Sequence, residues 1–131
     1  MSKFKEIDKD LQEKMAALDK EYGVFFAFST AQYEERRKEG VEYVPYIGGM
    51  LIPKHHYKEF LEKLNKLFKD AKQAKRNLRS KDKFIYEKLA DHEAWYDGEY
   101  MRAFEDIRYV YPECTEEDLR RVYLKNRHRY D

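Results

Sequence analysis

One seam constrains the fold more than any other feature. Apolar or small side chains stand at Tyr57, Phe60, Leu64, Leu67, Ala71, Ala74 and Leu78, stepping by 3, 4, 3, 4, 3, 4, with Leu61 and Phe68 widening the stripe. That alternation holds all of them on one side of a helix, in a heptad register sustained for three repeats. Pro53 suits the first turn of this helix, and the pattern carries it to about Arg79. Some 26 residues rising about 1.5 Å each make a rod of roughly 39 Å. A compact domain of this length has a radius of gyration of only about 14 Å. The helix must therefore overhang the core, or lie along another helix or along a second copy of the chain. A homodimer through the 57–78 seam is the intermolecular form of that expectation.

Shorter elements surround it. Phe4, Ile7, Leu11, Met15, Leu18 and Tyr22 recur at three- and four-residue steps and predict a helix closed by Gly23. Val24-Phe25-Phe26-Ala27-Phe28 is a continuous apolar run and reads as a buried strand. Ser29-Thr30-Ala31-Gln32 resembles a capping box for a helix reaching about Glu39, closed by Gly40. Val41–Tyr46 and Met50–Ile52 flank Gly48-Gly49, as a hairpin or as one kinked strand with a glycine bulge, and Pro45 argues for an edge.

Past Ser80, a cap, Ile85, Leu89, His92 and Tyr96 mark one helical face, broken near Gly98. Tyr100, Phe104, Ile107 and Tyr111 mark another, ended by Pro112. Thr115-Glu116-Glu117-Asp118 opens a last helix presenting Leu119, Val122, Tyr123 and Tyr130. The expected class is α+β: a small two- or three-stranded antiparallel sheet in the N-terminal third, a long amphipathic helix and a helical C-terminal region. No repeat or linker divides residues 1–131, which read as one domain.

Composition narrows the functional classes. No apolar run approaches the roughly 20 residues that span a bilayer, the N-terminus lacks the apolar stretch of a signal peptide, and a single cysteine forms no internal disulfide. The expected location is the cytoplasm, with no membrane partner. Charged residues make up 40% of the chain yet the net charge is only +1, because the signs are segregated. Residues 1–53 carry −2, residues 54–83 carry +7, residues 84–118 carry −8 and residues 119–131 carry +4. The molecule is dipolar along its sequence, a pattern that concerns partners more than fold.

Two candidate faces follow. Lys69, Lys72, Arg76, Arg79 and Lys83 share one face if the helix continues through them, and such a stripe can neutralise phosphates. It can equally be a solvated helix end whose cations suit the C-terminal dipole. No aromatics interleave it, so the stacking platform of a single-strand binder is missing. In the acidic segment Asp91, Glu93, Asp97, Glu99, Tyr100 and Glu105 accompany Asp106, Trp95, Tyr96 and Tyr109, mixing carboxylates with the aromatic anchors that interfaces favour. The bland alternative is a solvated face around an aromatic core.

Catalytic constellations are not found. His92-Glu93-Ala94-Trp95-Tyr96 puts Tyr where a zinc protease helix needs its second His, and His55-His56 makes a poor chelate by itself. Acids around Cys114 raise a thiol pKa rather than lower it, and Gly48-Gly49 fits no phosphate loop. No cofactor, metal or enzymatic activity is expected.

Taken together, Tyr22 through Ser29 (with Phe25, Phe26 and Phe28), then Gln32 and Glu35, Gly48-Gly49, Pro53-Lys54, and His92-Glu93 with Tyr96, resemble a family of small uncharacterised phage and prophage proteins. Those proteins carry a GxFFAFS-x-x-Q segment, a glycine-rich strand and a late His-Glu pair. The resemblance spans roughly residues 20–100 and implies context rather than chemistry. The expectation is a non-enzymatic phage-type binding protein in the host cytoplasm, an inhibitor of a host defence or nucleic-acid-processing complex. Its partner would be a host protein or nucleoprotein. Direct nucleic-acid binding through the basic face, aided by Arg120, Arg121 and Arg127, is the alternative. A sponge for small signalling nucleotides is a further one.

Overall fold

A computed structural model describes residues 1–130, the side chain of Tyr130 excepted. The class is α+β, and the chain divides into two compact units, Met1–Ala71 and the residues from Lys72 onward.

In the first unit, α1 (Lys3–Tyr22) starts where the Ser2 hydroxyl oxygen accepts the Lys5 N–H at 3.1 Å. It stops where Gly23 turns left-handed at φ 70°. The next elements are β1 (Phe25–Phe26), α2 (Thr30–Arg36), β2 (Tyr43–Tyr46), β3 (Met50–Pro53) and α3 (Tyr57–Asn77). The sheet order is β1-β3-β2, antiparallel throughout, with Phe25 opposite Leu51 and Tyr46 opposite Met50. Of the two arrangements open for Gly48-Gly49 the chain takes the hairpin. The turn Ile47–Gly49 joins its strands, both glycines at positive φ, and Pro45 lies on the edge strand β2.

The sheet is lashed down by helices. Leu18 and Tyr22 of α1, Val24, Met50 and Ile52, and Phe60 and Leu64 of α3 form one buried cluster. Fully burying a side chain such as Phe60 or Ile52 contributes about 1.5–3 kcal/mol. Tyr57, Leu61, Leu67 and Phe68 pack on the cluster's margin. Phe60 and Leu64 are thus covered within the chain and are not open to a second copy.

Three local expectations need correction. The apolar run at 24–28 is no buried strand: only Phe25 and Phe26 pair, on an edge, and Phe26 and Phe28 are exposed. After the Ala27 N–H bonds the Gly49 carbonyl at 2.9 Å, Ser29 starts α2 and draws the chain off the sheet. Helix α2 ends three residues early because Arg37 turns extended, and the Lys38 N–H then reaches the Tyr43 hydroxyl at 3.0 Å. Pro53 closes β3 instead of opening α3, its ψ of 127° being extended, and a 3₁₀ turn at Lys54–His56 intervenes.

The second unit contains α4 (Lys81–Asp91), α5 (Ala94–Asp97), α6 (Phe104–Val110) and α7 (Glu116–Asn126). Helix α4 packs on α5, α6 and α7 and buries Phe84, Ile85 and Leu89; Ile107, Leu119 and Val122 are buried on α6 and α7. Thr115 caps α7 through a reciprocal pair with Asp118, at 3.1 Å in each direction. The side chain of Tyr130, expected beside Leu119 and Val122, lies outside the described residues. The stripe assigned to Ile85, Leu89, His92 and Tyr96 fails beyond Leu89. Helix α4 ends at Asp91, Glu93 takes a left-handed φ of 54°, and α5 leaves in a new direction with Tyr96 in solvent.

The turn at Gly49 is tight as well as left-handed: a Cβ there would stand 2.7 Å from Phe28 Cε1 and 3.1 Å from the Ala27 carbonyl oxygen, at φ 81°. Gly49→Ala should therefore cost about 1–2 kcal/mol, read as a lower urea midpoint at unchanged slope. An unaltered midpoint would show that the corner relaxes freely.

Candidate functional site

The residues of the motif segment meet at one corner of the first unit. Phe25 and Phe26 form β1, and Gly48 and Gly49 form the turn that feeds its neighbour β3. The Phe28 ring lies on Gly49. Ser29 accepts the Gln32 N–H at 3.2 Å, while the Gln32 side chain accepts the Phe28 N–H at 2.8 Å, one residue upstream of its place in an ordinary capping box. Arg36 donates to the Phe26 carbonyl and so occupies part of the free edge of β1. The corner is held by side-chain bonds to its backbone, yet it leaves Phe26 37%, Phe28 74% and Ile47 79% exposed. Ile47 was not singled out from sequence, although a β-branched residue locked into a Gly-Gly turn has no strand face to bury.

Beside it opens a cleft of about 390 Å³, whose walls include Asp19, Phe25, Arg36, Tyr43, His55 and His56. Phe25 and Tyr43 meet edge to face at 5.0 Å, and the two His rings lie 4.1 Å apart. Asp19 Oδ1 is buried with no hydrogen-bond partner, and burial pushes the Asp19 carboxyl above its ordinary range. In a chain this rich in charge, no sequence signal separates Asp19 from its many acidic neighbours.

The basic stripe does not survive intact. Helix α3 stops at Asn77 and Arg79 adopts a left-handed φ of 51°, so Lys83 belongs to α4 and the five cations share no continuous face. Lys72 sits over the Tyr109 ring at 5.0 Å. Arg76 donates to the Val110 carbonyl at 2.8 Å and to Glu113 at 3.1 Å. The Glu113 carboxyl is held low by its own backbone N–H and by Arg76. Lys69 and Lys83 are exposed. Arg76 and Arg79 join Lys81, Gln73, Asn77 and Glu113 around a cleft of about 430 Å³.

The acidic segment is partly neutralised. Asp91 pairs with Lys88 at 3.6 Å and Asp97 pairs with Arg102. Asp97 also accepts the Glu99 N–H at 2.9 Å. Tyr100 packs on Tyr123 at 5.0 Å. His92 Nε2 meets Asp106 at 2.7 Å, so His92 is hydrogen-bonded but half-buried instead of deep in a core. Glu93, Glu99 and Glu105 stand exposed. Among the described residues no group of three His, Cys, Asp or Glu side chains is placed to hold a metal ion. Burial, with Asp118 adding to it, pushes the Cys114 thiol up. No helix among them is long and apolar enough to cross a membrane.

Comparison with known proteins returns one match. The model of a family of unknown function, DUF7659, matches residues 7–128. No curated protein and no solved structure matches the chain significantly.

The unpartnered carboxylate makes a pH prediction. With its folded pKa raised, Asp19 contributes stability that is present below the pH where a free carboxyl titrates, about 3.9, and lost as pH rises through the folded value. Asp19→Asn should therefore melt higher than the wild type at pH 7, the gap closing as pH falls below about 4. Parallel melting curves from pH 3 to 7 test it, and a variant less stable at pH 7 would assign Asp19 a partner.

Proposed function

The chain belongs to this family, and from that premise we propose a non-enzymatic, phage-type binding protein. It would act in the host cytoplasm on a host protein, as inhibitor of a defence or nucleic-acid-processing complex. The observation supporting this reading is the apolar corner. Large side chains left in water on a rigid frame are what an interface uses as anchors, because little conformational entropy remains to be lost on docking. Phe28 is fixed on Gly49 and Ile47 is fixed in the turn, yet both stay more than two-thirds exposed. The segment that builds the corner, Phe25 to Gln32, is the one that resembles phage proteins. Arg36 bonds the outer carbonyl of β1, so side chains, rather than an added strand, would make the contact.

Affinity capture followed by quantitative mass spectrometry tests the reading, comparing the wild type with a Phe28→Asp, Ile47→Asp double variant, each with and without nuclease. Exposed positions tolerate such changes within about 0.5 kcal/mol, whereas loss of an anchor weakens binding by about 2 kcal/mol, roughly 30-fold. The expected result is a protein enriched by the wild type, lost with the variant and retained after nuclease. Recovery equal for both chains, or abolished by nuclease, would sink it.

A second reading, direct nucleic-acid binding, is favoured by Arg79, which lines the unit-two cleft beside Arg76 and Lys81. If it holds, Arg79→Glu should lower the slope of log affinity against log salt by about 0.9 in gel-shift titrations on a duplex. An unchanged slope would remove Arg79 from any phosphate contact. The same cleft is where a small signalling nucleotide would be sought by thermal shift.

A further inference from the structure

We propose that α5 carries a second binding site, a pocket for an organic cation (a guanidinium or alkylammonium group) formed by Trp95, Tyr96 and Glu93. It stands independently of the apolar corner.

The pocket measures about 470 Å³, and its lining among the described residues is Ala90, Glu93, Trp95 and Tyr96. Two aromatic side chains and a carboxylate around an apolar floor are a chemically selective set. Ring faces attract cations through their quadrupole, indole most strongly, and the carboxylate supplies the opposite charge. An anion would meet Glu93 and the negative ring faces; a neutral apolar ligand would leave the carboxylate unsatisfied.

The pocket is preformed. The Trp95 Nε1–H donates to the Tyr123 carbonyl at 2.8 Å. Its ring lies parallel to Tyr123 at 5.8 Å and beside Tyr86 at 5.3 Å. Tyr96, one residue on, is 93% exposed, the most exposed aromatic among the described residues. Burial does not account for a tyrosine at that position. Glu93 is exposed and has no ion-pair or hydrogen-bond partner for its carboxylate among the described residues, whereas the nearby Asp91 and Asp97 pair with Lys88 and Arg102. The left-handed turn at Glu93 lets the chain leave α4 and present α5.

Trp95 is the chain's single tryptophan, so emission of the full-length protein excited at the red edge, where the twelve tyrosines do not absorb, reports on the surroundings of Trp95. The probes are tetramethylammonium chloride, arginine amide hydrochloride and a short arginine-containing peptide, each against sodium chloride at equal ionic strength. A saturable change in emission is expected with at least one probe and not with sodium chloride. Glu93→Gln should weaken it about tenfold, the order of a carboxylate contact to a cation, and Tyr96→Ala should weaken it several-fold or more. Saturation by tetramethylammonium alone identifies a small quaternary ammonium ligand; saturation by the arginine probes identifies a side chain of a partner.

Glu93→Gly separates binding from folding. It removes the carboxylate and suits the positive φ, so it should melt no lower than the wild type while weakening the response at least as much as Glu93→Gln. No saturable change with any probe, or saturation unaltered in both Glu93→Gln and Tyr96→Ala, would overturn the assignment.

Discussion

The left-handed turn at Gly48-Gly49 is the constraint on which the first unit rests. Two successive positive-φ positions bring β3 back against β2 in a register that sets Tyr46 opposite Met50. Only then does β3 offer its other side to β1, and only then does Phe28 find a surface without a Cβ to lie on. Strands of two to four residues cannot stand alone, since cross-strand pairs contribute only about 0.2–1 kcal/mol each. The corner persists because α1 and α3 bury Met50 and Ile52 from one side, while Gln32 and Arg36 tie α2 to the chain around β1. Its exposed residues are consequently as well placed as its buried ones, which is the physical basis for reading it as a contact surface.

Periodicity and caps carried most of the fold. Steps of three and four located α1 and α3, Gly23 ended α1, and Thr115 with Asp118 opened α7, because each is a local signal with a local cause. The failures share a different cause. At Arg79 and Glu93 the chain takes a left-handed conformation with no glycine to announce it. Both times a face extrapolated through the turn dissolved: the cationic stripe after Arg76, and the apolar stripe after Leu89. The run at 24–28, exposed at Phe26 and Phe28, failed for another reason. Hydrophobicity records what a residue would gain by burial, not whether an edge strand has anything to bury it against.

The candidate sites were legible as residues and not as arrangements. Phe25, Phe26, Phe28 and Gly49 stood out in the sequence, but their meeting depends on the β1–β3 pairing, which joins segments separated by more than twenty residues. Glu93 was visible as one of many acids. What distinguishes it is that its carboxylate, left over when Asp91 and Asp97 find cations, stands at the pocket of Trp95 and Tyr96, a property of the folded chain alone.

That argument extends to the segregated charge. Within the second unit Arg121 grips Asp82 through two bonds of 2.8 Å, and Lys81 reaches Asp118 at 3.2 Å. Arg121 holds the Asp82 carboxyl below its usual range, the Thr115 backbone N–H with help from Lys81 does the same for Asp118, and Asp82 holds Arg121 above its own range. With Arg76–Glu113 and Lys88–Asp91, the basic tail and the end of the basic block are drawn against acids of α4, α7 and the α6–α7 link. Exposed pairs of this kind contribute little stability singly. Their larger effect is on recognition: Arg76–Glu113 and Lys81–Asp118 each take one charge from the +7 and one from the −8, so a reduced segregation of sign stays in the field that a partner would meet. Among the groups left outside these pairs are Arg79 on one cleft and Glu93 on one aromatic pocket. Specificity in such a molecule would come from single charges placed beside particular apolar surfaces, with the remaining segregation of sign steering the approach.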